Sequence, residues 1–222
     1  MCARYPTPAD VDRLLTQFEL KRLPDYLPQT NVAPTDAAPV IVAHDEKREL
    51  RYMHWGLLPH WAKDTRAAAR MINARVETVF EKPAYSRYIK RNRCIVPAMG
   101  FFEWNETKEP FLIRLKSGSL MGFAAIWNRW HDPIEPEHVI ETYSVITTDA
   151  NSLVAKVHDR MPVIVPQQHY DDWLNREIQE PAEIVNMLCF VQADEVEVIA
   201  QDRALNSSKR KDVVLRLKDW MQ

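Results

Sequence analysis

The 222-residue sequence predicts an α+β fold, a single domain over 1–222 with antiparallel sheets curled into a barrel-like core and flanking helices. Three observations lead there. Short β-branched or aromatic runs recur along the chain without the regular rhythm of βαβ units. Only a few stretches of helical period interrupt them. The length, 46% hydrophobic and 27% charged content are those of an ordinary globular chain, able to bury a core without disulfide or metal staples.

The elements follow in chain order. Thr7–Leu20 reads as a helix, with Thr7 as its cap, Pro8 in the first turn, and Val11, Leu14, Leu15 and Phe18 as one apolar stripe. Tyr26–Pro39 carries three further prolines and is extended. Val40–Ala43 and Leu50–His54 are strands about a charged turn, and Leu58–Ala68 is irregular and then helical. Lys82–Arg91 is a short basic helix. Cys94–Pro97, Gly100–Asn105, Phe111–Leu115, Leu120–Trp130 and Thr142–Thr148 read as strands. A short helix at Asn151–Val157, a strand at Pro162–Val165, helices at His169–Leu174 and Pro181–Leu188, and a last strand at Val196–Ile199 complete the series. The tail from Asp212 is amphipathic.

Composition excludes several function classes. Four glycines form neither a dinucleotide fingerprint nor a phosphate loop. Three dispersed cysteines without a CxxC pair argue against a disulfide framework or a zinc site, and no cofactor or metal is expected. No apolar run is long enough to span a membrane, and the N-terminus lacks an apolar signal core, so a cytoplasmic protein is expected. The net charge of −2 hides an asymmetry. Residues 47–93 hold twelve Lys/Arg against four Asp/Glu, whereas 94–200 hold seven against seventeen. The first stretch is either a polyanion-binding surface or simply a solvated face.

Six residues could carry chemistry or binding. Cys2 follows only the initiator Met; once exposed, its α-amine and thiol would stand on adjacent carbons, the arrangement that closes on an aldehyde as a five-membered thiazolidine. In Gly100–Trp104, strand alternation puts Glu103 with Phe101, and Phe102 with Trp104. Glu103 is then either a buried acid with a raised pKa or an edge carboxylate in water. Asn73 could orient a nucleophile, and Arg75 could grip phosphate. His158, in His-Asp-Arg, is either a proton-transfer group or a structural histidine. Trp61, in WGLLPHW, offers a ring for base stacking or a core side chain.

The order of the motifs says more than any one of them. MCxRY, NVAPT, WGLLPHWAKD, INARVETV, RCIVPAMGFFEW and HDRMPVIV together resemble the SRAP family (SOS response-associated peptidase domain). The match runs to about Val165, with an echo at Leu205-Asn206-Ser207. The resemblance implies a sensor of abasic sites in single-stranded DNA that forms a covalent thiazolidine through Cys2 after autoproteolytic loss of Met1. It implies Cys2 as nucleophile, Asn73 holding its backbone or amine, Glu103 in acid/base steps and His158 acting on the sugar. Arg4, Arg75 and Arg160 would hold phosphates, and Trp61 and Pro34 would wedge against bases. Two positions depart from the family pattern. Ala3 stands where Gly is usual, and Val76 replaces a Ser whose hydroxyl would contact DNA. The absence of a long tail resembles a bacterial stand-alone member, expected to be monomeric. A processing peptidase acting on other proteins and a non-covalent single-strand binding module are the rival readings.

Overall fold

A computed structural model describes residues 2–44 and 47–207. Strands β1 (Ala37–His44) and β2 (Lys47–Trp55) form a hairpin, and β3 (Asn73–Arg75) is short. After helix α2 (Ser86–Arg91) come β4 (Arg93–Ala98), β5 (Phe101–Trp104), β6 (Pro110–Leu115), β7 (Met121–His131) and β8 (Val139–Asp149). Strand β9 (Arg160–Pro162), helices α3 (Tyr170–Leu174) and α4 (Pro181–Asn186), and β10 (Val196–Ala200) follow, and α1 (Val11–Phe18) precedes them all.

The larger sheet runs β2-β1-β4-β7-β8, and β8 pairs back onto β2 through His54–Thr142 and Trp55–Tyr143. Five strands therefore close into a barrel, which removes the free edges an open sheet would expose. β3 and β9 both pair with β8 beyond the ring, and β10-β6-β5 form a separate antiparallel sheet. The barrel strands split by parity. Val40, Val42, Cys94, Val96, Phe123, Ala125 and Val145 join one core that also holds Cys2, Tyr5 and Phe101. Their neighbours Ile41, Ile95, Ala124, Ile126 and Ile146 pack in a second core with Leu14 and Phe18 of α1, Ile89 of α2, Trp173 of α3 and Ile184 of α4. Both faces of the central strands are thus covered, so β4 is buried throughout.

Several boundaries move. Asp10, not Thr7, caps α1, accepting from the Arg13 N–H at 3.0 Å. Thr7 Oγ1 instead accepts from Gln29 N–H at 2.7 Å, tying the N-terminal segment to the 26–36 loop. The helical turn expected before Ala68 is a 3-10 helix at Thr65–Arg70. The strand expected at Pro162–Val165 is displaced to β9, and Ile164 makes only isolated bridges to Phe123 and Cys189. β3 has no counterpart among the expected elements: three residues carry too little pattern, and a parallel partner 72 positions away, Asn73 against Val145, decides the pairing. The amphipathic tail lies outside the described residues.

Glycine is required at two points near the site. Gly56 has φ +136°, and a Cβ there would stand 2.4 Å from the Ala68 carbonyl oxygen. At Gly100 a Cβ would stand 2.4 Å from the Ile113 carbonyl oxygen, so only glycine lets the chain enter β5 against β6.

Candidate functional site

The N-terminal segment is threaded against the barrel by backbone pairing. Phe102 N–H donates to the Arg4 carbonyl at 2.9 Å, and Val32 N–H donates to the Tyr5 carbonyl at 2.8 Å. Cys2 is thereby fully buried. Burial first, and the nearby Glu103 carboxylate second, push its thiol well above the ordinary cysteine range. Asn73, at the start of β3, donates from Nδ2 to the Cys2 carbonyl at 2.7 Å. Its own carbonyl accepts from Tyr85 Oη at 3.2 Å. Asn73 Oδ1 is buried and has no hydrogen-bond partner among the described residues.

Strand alternation in β5 holds. Phe101 packs in the core that contains Cys2, whereas Phe102 and Trp104 pack with Leu205 on the opposite face. Glu103 therefore points inward and is only 3% exposed. Burial raises its carboxyl to about 7, within reach of proton transfer near neutrality. His158 Nε2 lies 4.0 Å from Glu103 Oε2. His158 Nδ1 accepts from the Arg160 backbone N–H at 3.0 Å. The Asp159 carboxylate is also 2.8 Å from Nδ1, but the aligned Arg160 N–H fixes Nδ1 as an acceptor. The neutral ring then carries its proton on Nε2, facing Glu103. Burial holds the His158 pKa below the usual range, consistent with a neutral imidazole.

Cys2, Asn73, Glu103 and His158 thus form one cluster built from four separate chain segments, two of them the strands β3 and β5. Arg75 follows Asn73 by two on β3, so both side chains leave the same face; Arg75 is exposed and makes no side-chain hydrogen bond among the described residues. Trp61 is 56% exposed, unlike Trp55, Trp130 and Trp173, which are buried. Pro34 is half-buried in a tight turn, in which Asp36 N–H donates to the Ala33 carbonyl and Ala33 N–H to Asp36 Oδ2. Neither Pro34 nor Trp61 has a hydrogen bond or ring contact with the four clustered residues among those described.

The guanidinium groups of Arg4 and Arg160, two of the three arginines expected to hold phosphates, are engaged within the protein. Arg4 Nη1 donates to Asn31 Oδ1 and to the Leu205 carbonyl, both at 3.1 Å, and its guanidinium lies over the Trp104 ring. Trp104 Nε1 in turn donates to Asn206 Oδ1 at 2.6 Å, so the Leu205-Asn206 echo closes over Arg4. Arg160 is 8% exposed, and its terminal nitrogens are engaged by Glu77, Asp149 and the Thr147 carbonyl. Glu77, Asp149 and Tyr85 are not among the residues that the sequence motifs single out. A lone acid or tyrosine carries no signal of its partner until the strands are paired.

The departures from the family pattern are accommodated. Ala3 does not lie in the left-handed region that would demand glycine. Val76 packs at the edge of the helix-covered core. Among the described residues there is no group of His, Cys, Asp or Glu able to hold a metal, and no helix long and apolar enough to cross a membrane.

The chain is similar to known proteins over nearly its whole length. It is 35% identical over 222 residues to the abasic site processing protein YoaM of Bacillus subtilis, covering 97% of each chain. It is 36% identical to YoqW of the same organism, covering 94% of this chain and 96% of that one. A solved structure from Bacteroides thetaiotaomicron matches with a TM-score of 0.72 and 30% identity, over 94% of this chain and 93% of that one. The profile of the family described as SOS response associated peptidase (SRAP) matches residues 1–208, and the chain belongs to that family.

Proposed function

We propose that this protein processes abasic sites in single-stranded DNA by covalent capture through Cys2, after hydrolysis of the Met1–Cys2 peptide bond. The observation that carries the reading is the convergence on Cys2. Its carbonyl is held by Asn73, and it lies buried beside a carboxyl whose pKa is about 7. The names of the relatives, abasic site processing proteins, supply the substrate.

The Cys2 α-amine adds to the ring-opened sugar aldehyde, and the resulting carbinolamine loses water to give an imine. The thiol then adds across the C=N bond, its proton passing to nitrogen, and the ring closes as a thiazolidine. One water is released in all. A thiol held protonated by burial leaves the first attack to the amine. Asn73 Oδ1, which has no partner among the described residues, is an acceptor suited to orient that amine. Glu103 takes and returns the protons of the amine and the departing hydroxyl, and assists removal of Met1. His158, with its proton on Nε2, moves a proton between the sugar ring oxygen and anomeric hydroxyl to open the hemiacetal. Arg75 supplies phosphate contact, and exposed Trp61 with Pro34 stacks against bases already unpaired.

The test is to mix the purified protein with a single strand carrying one abasic site and run a denaturing gel. An adduct that survives boiling, and that Cys2→Ala abolishes, is expected; Cys2→Ser should be nearly as poor, because an oxazolidine is far less stable. The same heat-stable adduct at full yield from Cys2→Ala overturns the reading. Binding that boiling abolishes would favour a non-covalent module, and cleavage of added polypeptides would favour a processing peptidase.

A further inference from the structure

We infer that the outward face of α2, carrying Arg87, Lys90 and Arg91, is a second DNA-contacting surface, and that it takes the phosphates of a double-stranded arm flanking the lesion. The inference rests on the reading of abasic-site DNA as the substrate; the surface itself rests on charge and geometry.

The basic excess of residues 47–93 ends in a stretch without acids: from Lys82 to Phe102 there is no Asp or Glu. Within it α2 buries Tyr88 and Ile89 and exposes Arg87, Lys90 and Arg91. Those three stand at i, i+3 and i+4, on one helix face. None of them makes an ion pair or a side-chain hydrogen bond among the described residues. By contrast, exposed Arg66, Arg129 and Arg203 each meet a carboxylate, of Asp64, Glu141 and Glu109. The fold gains little from the charge on α2. A helix C-terminus favours Lys90 and Arg91, but Arg87 lies in the first turn, four residues from Arg91, where the helix end and the like charge both disfavour it. Two tyrosines place the helix beside the site. Tyr85, immediately before α2, donates from Oη to the Asn73 carbonyl at 3.2 Å. Tyr88 Oη accepts from the His60 N–H at 2.9 Å, next to exposed Trp61. The helix is thus held one tyrosine's length from both β3 and the Trp61 loop. The chemistry of the face selects its occupant. A single-strand path interleaves cations with exposed rings on which bases stack. Both tyrosine rings of this segment are buried, so the outer face offers cations alone. That suits a duplex, whose bases are already stacked and whose axis carries about one phosphate charge per 1.7 Å.

Affinity for undamaged DNA is measured against salt with three probes: a bare single strand, and that strand with a duplex arm on its 5′ or on its 3′ side. Each duplex phosphate contact adds about 0.9 to the slope of log affinity against log salt. One of the two arms should therefore steepen the wild-type slope by about 2 to 3, and the variant Arg87→Gln, Lys90→Gln, Arg91→Gln should return it to the bare-strand value. The slope on the bare strand, and the adduct yield on a bare abasic strand, should stay at the wild-type level in that variant. Arg87→Lys with Arg91→Lys should keep the steep slope, since charge and not shape makes the contact. Lys21→Gln with Lys116→Gln and Arg176→Gln removes the same charge from exposed positions elsewhere and should also keep it. A wild-type slope that neither arm steepens, or an α2 variant as steep as wild type on both arms, overturns the inference. An equal loss on the bare strand also overturns it, by making α2 part of a single-strand path. The same loss in the variant of the three distant cations overturns it too, by reducing the effect to net charge. Thermal melts establish folding, and if the triple α2 variant does not fold, Arg87→Gln alone should lower the slope by about 0.9 on the same arm. Absence of any wild-type adduct would sink the crosslinking reading, while the salt slopes would still judge α2.

Discussion

Glu103→Gln should make the protein more stable at neutral pH while slowing its chemistry. In the fold the carboxyl titrates at about 7, raised chiefly by burial from 4.5. Between those values the unfolded chain has released its proton and the folded chain still holds it. The unfolded state therefore binds fewer protons, and stability falls as pH rises from about 4.5 to 7. At about 1.36 kcal/mol per pKa unit, the full displacement amounts to about 3 kcal/mol. Below the unfolded value, both states are protonated and the cost vanishes. The neutral amide introduced by Glu103→Gln would mimic the protonated acid at every pH. The stability advantage of the variant should thus be about 3 kcal/mol larger at pH 8 than at pH 4, growing across the window between the two pKa values. Urea unfolding at a series of pH values measures it, with intact mass confirming that the compared proteins share one N-terminus. A stability difference independent of pH would refute the argument, because it would mean that Glu103 titrates normally and is not kept protonated by its surroundings. The same variant should form adduct more slowly and retain more Met1 when made in cells.

Three further outcomes follow from the geometry. His158→Gln should slow both formation and reversal of the adduct, since a catalyst of ring opening acts in both directions; equal reversal rates in variant and wild type, followed after transfer to excess competing abasic strand, would contradict it. Trp61→Ala, removing an exposed ring, should weaken single-strand binding by about 1–3 kcal/mol without lowering the melting temperature, and a large loss of stability would instead make Trp61 a packing residue. Arg93→Met should destabilise the fold by about 3–5 kcal/mol, because the buried guanidinium holds the carbonyls of Ile89 and Lys90 at the end of α2 and of Trp173 and Asn175 at the end of α3, with no carboxylate among its hydrogen-bond partners in the described residues. A chemical melt within about 1 kcal/mol of wild type would show that those carbonyls find other donors.

Much of the molecule was legible in one dimension because its information is local. The alternation in GFFEW put Glu103 on the face of Phe101, and the fold keeps that parity, since the pleat leaves no other choice. The hairpin of β1 and β2, the strands β4 to β8 and β10 announced themselves by β-branching and length, and six ordered motifs were enough to identify the family. Three things waited for the tertiary structure. The barrel closes through two residue pairs between β2 and β8, a parallel contact with no local signature. The burial of Cys2 has no mark in the sequence; strand-like pairing of Arg4 and Tyr5 buries it and raises its pKa. At Arg160 a sequence records a charge but not the carboxylates that surround it. Glu77 and Asp149 lie 83 and 11 positions away, and only the side-by-side packing of β3, β8 and β9 brings their carboxylates to its guanidinium. Periodicity reports which face a residue takes, whereas long-range pairing decides which charges meet there, because that depends on strand register and not on the local chain.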